Sequence, residues 1–434
     1  MLFNSLDFAF FLPLVFVLYW FVFSKKASSQ NLVILFSSYI FYGFWDWRFL
    51  ILIFFSSLID FYVGRLMIKT ATKNKRKALL SLSILVNIGL LCFFKYYNFF
   101  LDSFVSIFSF FGDSFSIQRL NIILPVGISF YTFQTLSYSI DIYKKKLVPT
   151  NNFIVFLSFV SFFPQLVAGP IERATNLLPQ FYSKRLFSYD NAVSGVQLIV
   201  WGFFKKIVIA DNAAILVNGI FNNYEYQSFD SLLLGAFLFS FQIYGDFSGY
   251  SDIAIGTARL FNFNLMTNFK FPYLSNNIGE FWKRWHISLS TWFRDYVYIP
   301  LGGSQGTLLI SIRNVIIVFL VSGFWHGANW TFIFWGGIHA LLYIPLFISL
   351  KRKNVHIVNH HKKFNFIKIF TTFTLVMFAW IFFRSPSVTD AINYLARIFS
   401  FSEGQHFYTS TSKYLIITGI SFIATAKPNH KGKE

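Results

Sequence analysis

The chain of 434 residues has one cysteine, 13% charged residues, and 18 acidic side chains against 37 lysines and arginines. A lone Cys92 excludes an intrachain disulfide, a thiolate metal site and a Cys/Cys redox pair, and its apolar surroundings read as those of a buried structural thiol. H-E-x-x-H, Walker and G-x-G-x-x-G patterns are all absent, which leaves metalloproteolysis, ATP-driven transport and NAD chemistry without support. There is no internal repeat, low-complexity linker or heptad pattern either. With so little charge beside 55% hydrophobic residues, the chain cannot coat a water-soluble fold of this size with polar surface. It reads as an all-α polytopic protein of the lipid bilayer. Apolar stretches such as 8 to 23 and 31 to 44 recur from end to end, so a single membrane domain over 1 to 434 is expected. The first stretch has no basic segment before it and no small-residue cleavage pattern after it, and is read as a retained helix.

The net charge of +19 sits in short loops between apolar stretches rather than on a nucleic-acid-binding face. One basic group is Arg65, Lys69, Lys73, Lys75, Arg76 and Lys77; a second is Lys144, Lys145 and Lys146; a third is Lys351, Arg352, Lys353, Lys362 and Lys363. Basic short loops stay cytoplasmic, which orients the chain and removes nucleic acid as a partner. Parity then constrains the crossings. Between the first two groups, 79 to 94 goes outward and only one of 98 to 111 and 122 to 142 can return. The former is short and contains Asp102, so it is expected to be re-entrant or interfacial. After the third group, 365 to 383 goes out and 413 to 425 returns, leaving Lys427, Lys431 and Lys433 inside. The count is roughly ten to twelve crossings plus re-entrant elements.

Candidate chemistry concentrates in about 244 to 339. "YGDFSGYSDIAIG" places Asp246 and Asp252 among small residues, and "NNIGEFWKRWHISLSTWFRDYVYIPLGGS" (276 to 304) is aromatic and basic together. Lys283, Arg284, His286, Arg294 and Asp295 would each cost about 2.5 to 3.5 kcal/mol at the bilayer centre, so this block faces water, protein or a polar cavity, as an interfacial or inward-dipping helix. Its cations suit either lipid headgroups or the phosphates of a nucleotide-like carrier. His326, in "SGFWHGANW", lies between apolar runs and reads either as a neutral histidine bonded to a neighbouring helix or as a functional intramembrane group. Counted along one helix, His339 lies about 220° round from it, off the same face. His356, His360, His361, His406 and His430 fall in polar loops or the tail and read as solvated.

Two tempting patterns fail on context. Gly302 to Gly306 satisfies G-x-S-x-G, but a hydrolase elbow at Ser304 needs a strand before it and a helix after it in an α/β sheet. Gly323 and Gly327 form G-x-x-x-G, which carries packing information only.

Long blocks of the chain resemble the membrane-bound O-acyltransferase (MBOAT) family, in its bacterial branch of alginate O-acetylation proteins. They are "SLDFAFFLPLVFVLYW", "LPVGISFYTFQTLSYSIDIYK", "SFFPQLVAGPIERATNLLPQF", "WGFFKKIVIAD", "YGDFSGYSDIAIG", "FWKRWHISLSTWFRDYVYIPLGG" and "SGFWHGANWTFIFWGGIHA", in one order over nearly the whole length. The resemblance implies helices around a thin central region, with a channel joining a cytoplasmic donor site to an acceptor site on the far face. It makes His326 catalytic and aligns His286 with a second histidine of the bacterial branch. The implied reaction is acyl transfer from a thioester, with acetyl-CoA as donor substrate and no metal or other cofactor. His326 would be the general base, and His286 would orient the thioester or stabilise charge on its oxygen. Lys283, Arg284 and Arg294 are candidates for the donor phosphates, and Trp325, Asn329 and Asp246 complete the candidate substrate-binding set.

The implied setting is the bacterial cytoplasmic (inner) membrane. There an acetyl group crosses to an extracytoplasmic acetyltransferase partner that modifies an exported or cell-wall polysaccharide. D-alanyl transfer to teichoic acid from an acyl carrier protein is the alternative within the family, and a transporter or flippase the alternative outside it. The chain departs from the pattern where many members end in a long aromatic-rich helix, since 413 to 425 is short.

Overall fold

The computed structural model describes residues 1–110, 118–167, 169–352 and 365–407. Lys353, Lys362, Lys363, the stretch 413 to 425 with its basic tail, and His356, His360, His361 and His430 lie outside the described residues. Among the described residues there is no β-strand, and the only bridge pairs Gln227 with Gln405. In lipid every backbone N–H must be satisfied within the protein, and a helix does so within its own segment.

Seven described helices are long and apolar enough to cross a membrane: Arg48–Lys69, Lys73–Ser109, Tyr189–Phe221, Phe229–Leu260, Leu308–His326, Trp330–Lys351 and Phe366–Arg384. Leu6–Val22 and Phe153–Leu166 are shorter apolar helices. The protein is therefore an all-α, multi-pass membrane protein. One expectation is corrected: the stretch 98 to 111, expected to be a re-entrant or interfacial piece, is not a separate element over its described residues, 98 to 110. A π-turn at Cys92–Tyr96 carries the preceding helix on into the one that starts at Tyr97, giving the 37 continuous residues of Lys73–Ser109. At 1.5 Å per residue that is about 55 Å, well beyond a hydrocarbon core of about 30 Å. Cys92 opens the π-turn and is half-buried, where a buried thiol was expected.

The chain falls into two compact units, Met1–Gly202 with Tyr250–Met266, and Phe203–Gly249 with Thr267–Glu434. The block from 244 to 339 is thus divided, because 250 to 266 belongs to the first unit.

In the first unit a polar knot ties three helices. Asp60 on Arg48–Lys69 accepts hydrogen bonds from Ser83 Oγ (2.5 Å) and Asn87 Nδ2 (2.8 Å) on Lys73–Leu91, and from Ser139 Oγ (3.3 Å) on Ile128–Tyr143; Thr135 Oγ1 donates to Asn87 Oδ1 (2.9 Å). All five side chains are buried, so the carboxyl group acts as polar glue between helices. Arg185 locks a loop of the same unit, bonding Tyr19 OH (2.8 Å), Asn31 Oδ1 (2.6 Å) and the carbonyls of Gln180, Phe181 and Ser183.

The second unit is built on the hairpin of Leu308–His326 and Trp330–Arg352. Its arms touch through glycine. A methyl group on Gly323 would collide with the Phe332 carbonyl, and one on Gly336 with the Phe319 carbonyl. Only hydrogen lets the two backbones approach so closely. The turn itself is held by Asn329, which accepts from Thr331 N (3.0 Å) and donates to Pro386 O (2.9 Å). Around the hairpin an apolar core gathers Leu232, Phe281, Trp285, Trp335, Val376, Trp380 and Ile381.

Candidate active site

The aromatic and basic block is not one dipping helix but two short ones with a break between them. Ile278–Arg284 starts at Asn277, whose side chain accepts from Glu280 N (2.9 Å), while Glu280 reaches back to Asn276 N (2.9 Å). These two bonds fix the entry of the helix. The second helix, Ile287–Phe293, is preceded by His286 at φ 42°, ψ 55°, a left-handed conformation that costs an L-residue about 1 to 2 kcal/mol. Asn268 supports the break: its backbone carbonyl accepts from Ile287 N (2.9 Å), and its Oδ1 accepts from Ser288 Oγ (2.6 Å) and Ser288 N (3.3 Å). A continuous helix would turn the residue-286 side chain another way.

At the break, His286 is buried against Phe247, edge to face at 4.6 Å, with Ser288 Oγ 3.5 Å from Nδ1 and no hydrogen-bond partner on Nε2 among the described residues. Burial, and then the neighbouring His326, hold its imidazole well below the ordinary histidine range, so it is neutral.

His326 is the last residue of its helix, because Gly327 turns extended. The half-buried imidazole lies 6.4 Å from His286 between ring centroids, 5.0 Å from Trp325, 5.2 Å from Trp335 at 88°, and 5.4 Å from Phe383. The expectation that His326 and His339 cannot share a face is overturned by the same turn. They stand on opposite arms of an antiparallel hairpin, and both rings meet Trp335, His339 at 4.9 Å. The helical-wheel angle does not apply across the break.

The remaining sequence candidates fall into distinct surroundings. Trp325 is buried beside both histidines, 6.1 Å from His286. Asn329 holds the hairpin turn, as described. Asp246 faces Lys206, whose ammonium bridges it (2.6 Å) and Asp211 (2.6 Å). Lys283 is exposed, Arg294 pairs with Asp295 (2.7 Å), and Arg284 is drawn inward to Glu280 and the carbonyls of Phe271 and Leu274. Ser304 lies in a turn with no sheet, as its context requires; Gly302 and Gly303 there have φ of 103° and 57°, and Asn314 Nδ2 clamps the carbonyls of Leu301 and Gly303. Lys351 closes the turn from the other arm, reaching Gly306 O, Thr307 O and Ser311 Oγ.

Sequence reasoning missed Trp335, Phe383, Phe247 and Asn268. Three are aromatic residues among many, so nothing in the pattern marks them; Asn268 follows a polar stretch and reads as a loop. What these parts assemble is an imidazole at a helix end, a second neutral imidazole beside it, and aromatic walls, an arrangement that can take a proton from a hydroxyl.

Comparison with known proteins identifies the family. A model of the membrane-bound O-acyltransferase family, MBOAT, matches residues 144–385. The "probable alginate O-acetylase AlgI" of Azotobacter vinelandii is 39% identical over 406 residues, covering 93% of this chain and 79% of the relative. The peptidoglycan O-acetyltransferase of Helicobacter pylori is 37% identical over 91% of this chain and 79% of its own length. The teichoic acid D-alanyltransferase of Bacillus subtilis is 30% identical, over 51% of this chain and 58% of its own length. The chain belongs to the membrane-bound O-acyltransferase family and is an O-acyltransferase of the membrane.

Proposed function

We propose that the protein transfers an acetyl group from a cytoplasmic thioester, acetyl-CoA, across the bacterial inner membrane for O-acetylation of an exported or cell-envelope polysaccharide. The observation that carries this reading is the pair His286 and His326, two imidazoles 6.4 Å apart in an aromatic enclosure. A hydroxyl is a weak nucleophile at neutral pH. His326 removes its proton as the oxygen attacks the thioester carbonyl, assistance typically worth about 10² to 10⁴-fold. The new C–O bond forms, the C–S bond breaks, and the proton passes from His326 to the departing thiolate, whose conjugate acid has a pKa of about 8.5 and needs little further help. His286, held neutral by burial, can donate one N–H to the carbonyl oxygen as negative charge develops there. Lys283 and Arg294, both exposed, are the candidate cations for the donor phosphates, Arg294 being also paired with Asp295 as Arg284 is with Glu280. Trp325 walls the acyl position.

Acetyl transfer is favoured over D-alanyl transfer because the O-acetylating relatives align over more than nine tenths of the chain and the D-alanyltransferase over about half. An extracytoplasmic acetyltransferase that completes the modification belongs to the same proposal. Membranes carrying the protein, supplied with acetyl-CoA labelled in its acetyl group, test it. Label recovered by alkali as acetate from a cell-envelope glycan is the expected result. D-alanine on teichoic acid, or flux of a substrate without acyl transfer, would overturn it.

A further inference from the structure

His339 is a fully buried imidazole that the proposed reaction does not use. Its ring stands edge to face with Trp282 (4.9 Å, 82°) and with Trp335 (4.9 Å, 73°). Phe281 and Phe319 lie nearly parallel to it at 6.3 and 6.4 Å, and Trp380 closes the cage at 6.2 Å. Neither imidazole nitrogen has a hydrogen-bond partner among the described residues, and neither has the indole N–H of Trp282 or Trp335. A buried polar group gives up its hydration and here regains no conventional hydrogen bond. Phenylalanine or leucine would fill the same cage without that loss, so packing alone does not account for a histidine.

What imidazole has and phenyl lacks is an N–H edge, which the electron-rich face of a perpendicular indole accepts. Trp335 is the wall shared with the site, since its ring meets His339 at 4.9 Å and His326 at 5.2 Å. Trp335 and His339 are four residues apart on Trp330–Arg352, hence neighbours on one helix face. We infer that His339 is a positioning residue, whose imidazole sets the plane of the Trp335 indole and through it the orientation of the His326 ring. This rests on the reading of His326 as the general base. Proton removal depends steeply on geometry, and displacement by about 1 Å can cost about 10²-fold in rate.

A double-mutant cycle on the full-length membrane protein tests it, using His339→Phe, Trp335→Phe, the double variant and His326→Ala. Melting temperature, kcat, KM for acetyl-CoA and the pH dependence of kcat/KM are measured for each. His339→Phe is expected to melt at or above the wild-type temperature, keep KM, lose about 10-fold in kcat and shift the acidic limb of the pH profile. His339→Asn, which restores a polar edge, is expected to recover part of the rate, and the double variant to be no worse than Trp335→Phe alone. If His339→Phe does not fold, His339→Asn takes its place in the cycle. Wild-type kcat and pH profile in the folded His339 variant, or strictly additive losses, would overturn the inference while an inactive His326→Ala left the base intact. Full activity in His326→Ala would instead overturn the base reading.

Discussion

His326 and Trp335 meet edge to face, 5.2 Å apart at 88°, although they stand on opposite arms of a helical hairpin. The contact exists because the arms are drawn together at Gly323 and Gly336. Gly323→Ala and Gly336→Ala should therefore each force the backbones apart. A cost of about 1 to 3 kcal/mol is expected, as for overpacked cores. Melting curves in detergent should fall for both variants, and acyl transfer should fall more steeply than the folded fraction.

His286 makes stability depend on pH. Its folded-state affinity for a proton is depressed by burial and by His326, so the unfolded chain binds more protons at mildly acidic pH. Its contribution to stability is fully present above the unfolded histidine value of about 6.5 and is lost as pH falls below it. Thermal melts between pH 5 and about 8 should fall on the acid side, and His286→Phe should flatten that fall. An unchanged slope would contradict a buried neutral imidazole at this position.

Asn268 holds the left-handed break through Ser288, with both side chains buried. Asn268→Ala leaves the Ser288 hydroxyl without that acceptor, a loss of about 1 to 3 kcal/mol. The variant should bind donor with little change in KM and turn over more slowly, because the group displaced is His286. Melting temperature and steady-state kinetics together check it.

Asp246 is an ion-pair partner of Lys206. Asp246→Asn should leave KM for acetyl-CoA unchanged, and Lys206→Met should be the more damaging substitution because it strands Asp211 as well. A large rise in KM with Asp246→Asn would show that the carboxylate does contact substrate.

Much of this was legible in the residues. The scarcity of charge identified the bilayer, and the long motif blocks singled out His286 and His326. What escaped depended on local backbone events that periodicity does not encode. The π-turn at Cys92–Tyr96 joins two apolar stretches that parity treats as separate, and the extended Gly327 ends a helix inside what hydropathy reads as nearly continuous. Similarly, His286 in the left-handed region splits one basic block into two helices. The walls of the site were hidden for another reason: in a chain that is 22% aromatic, Trp335 and Phe383 carry no mark until the fold brings them to His326.

The most direct measurement of the central claim is acetyl transfer from labelled acetyl-CoA by membranes containing equal amounts of folded wild-type protein and His326→Ala. Loss of at least about 10²-fold in the variant, with donor binding retained, is the predicted result. Equal transfer by the two proteins would contradict it.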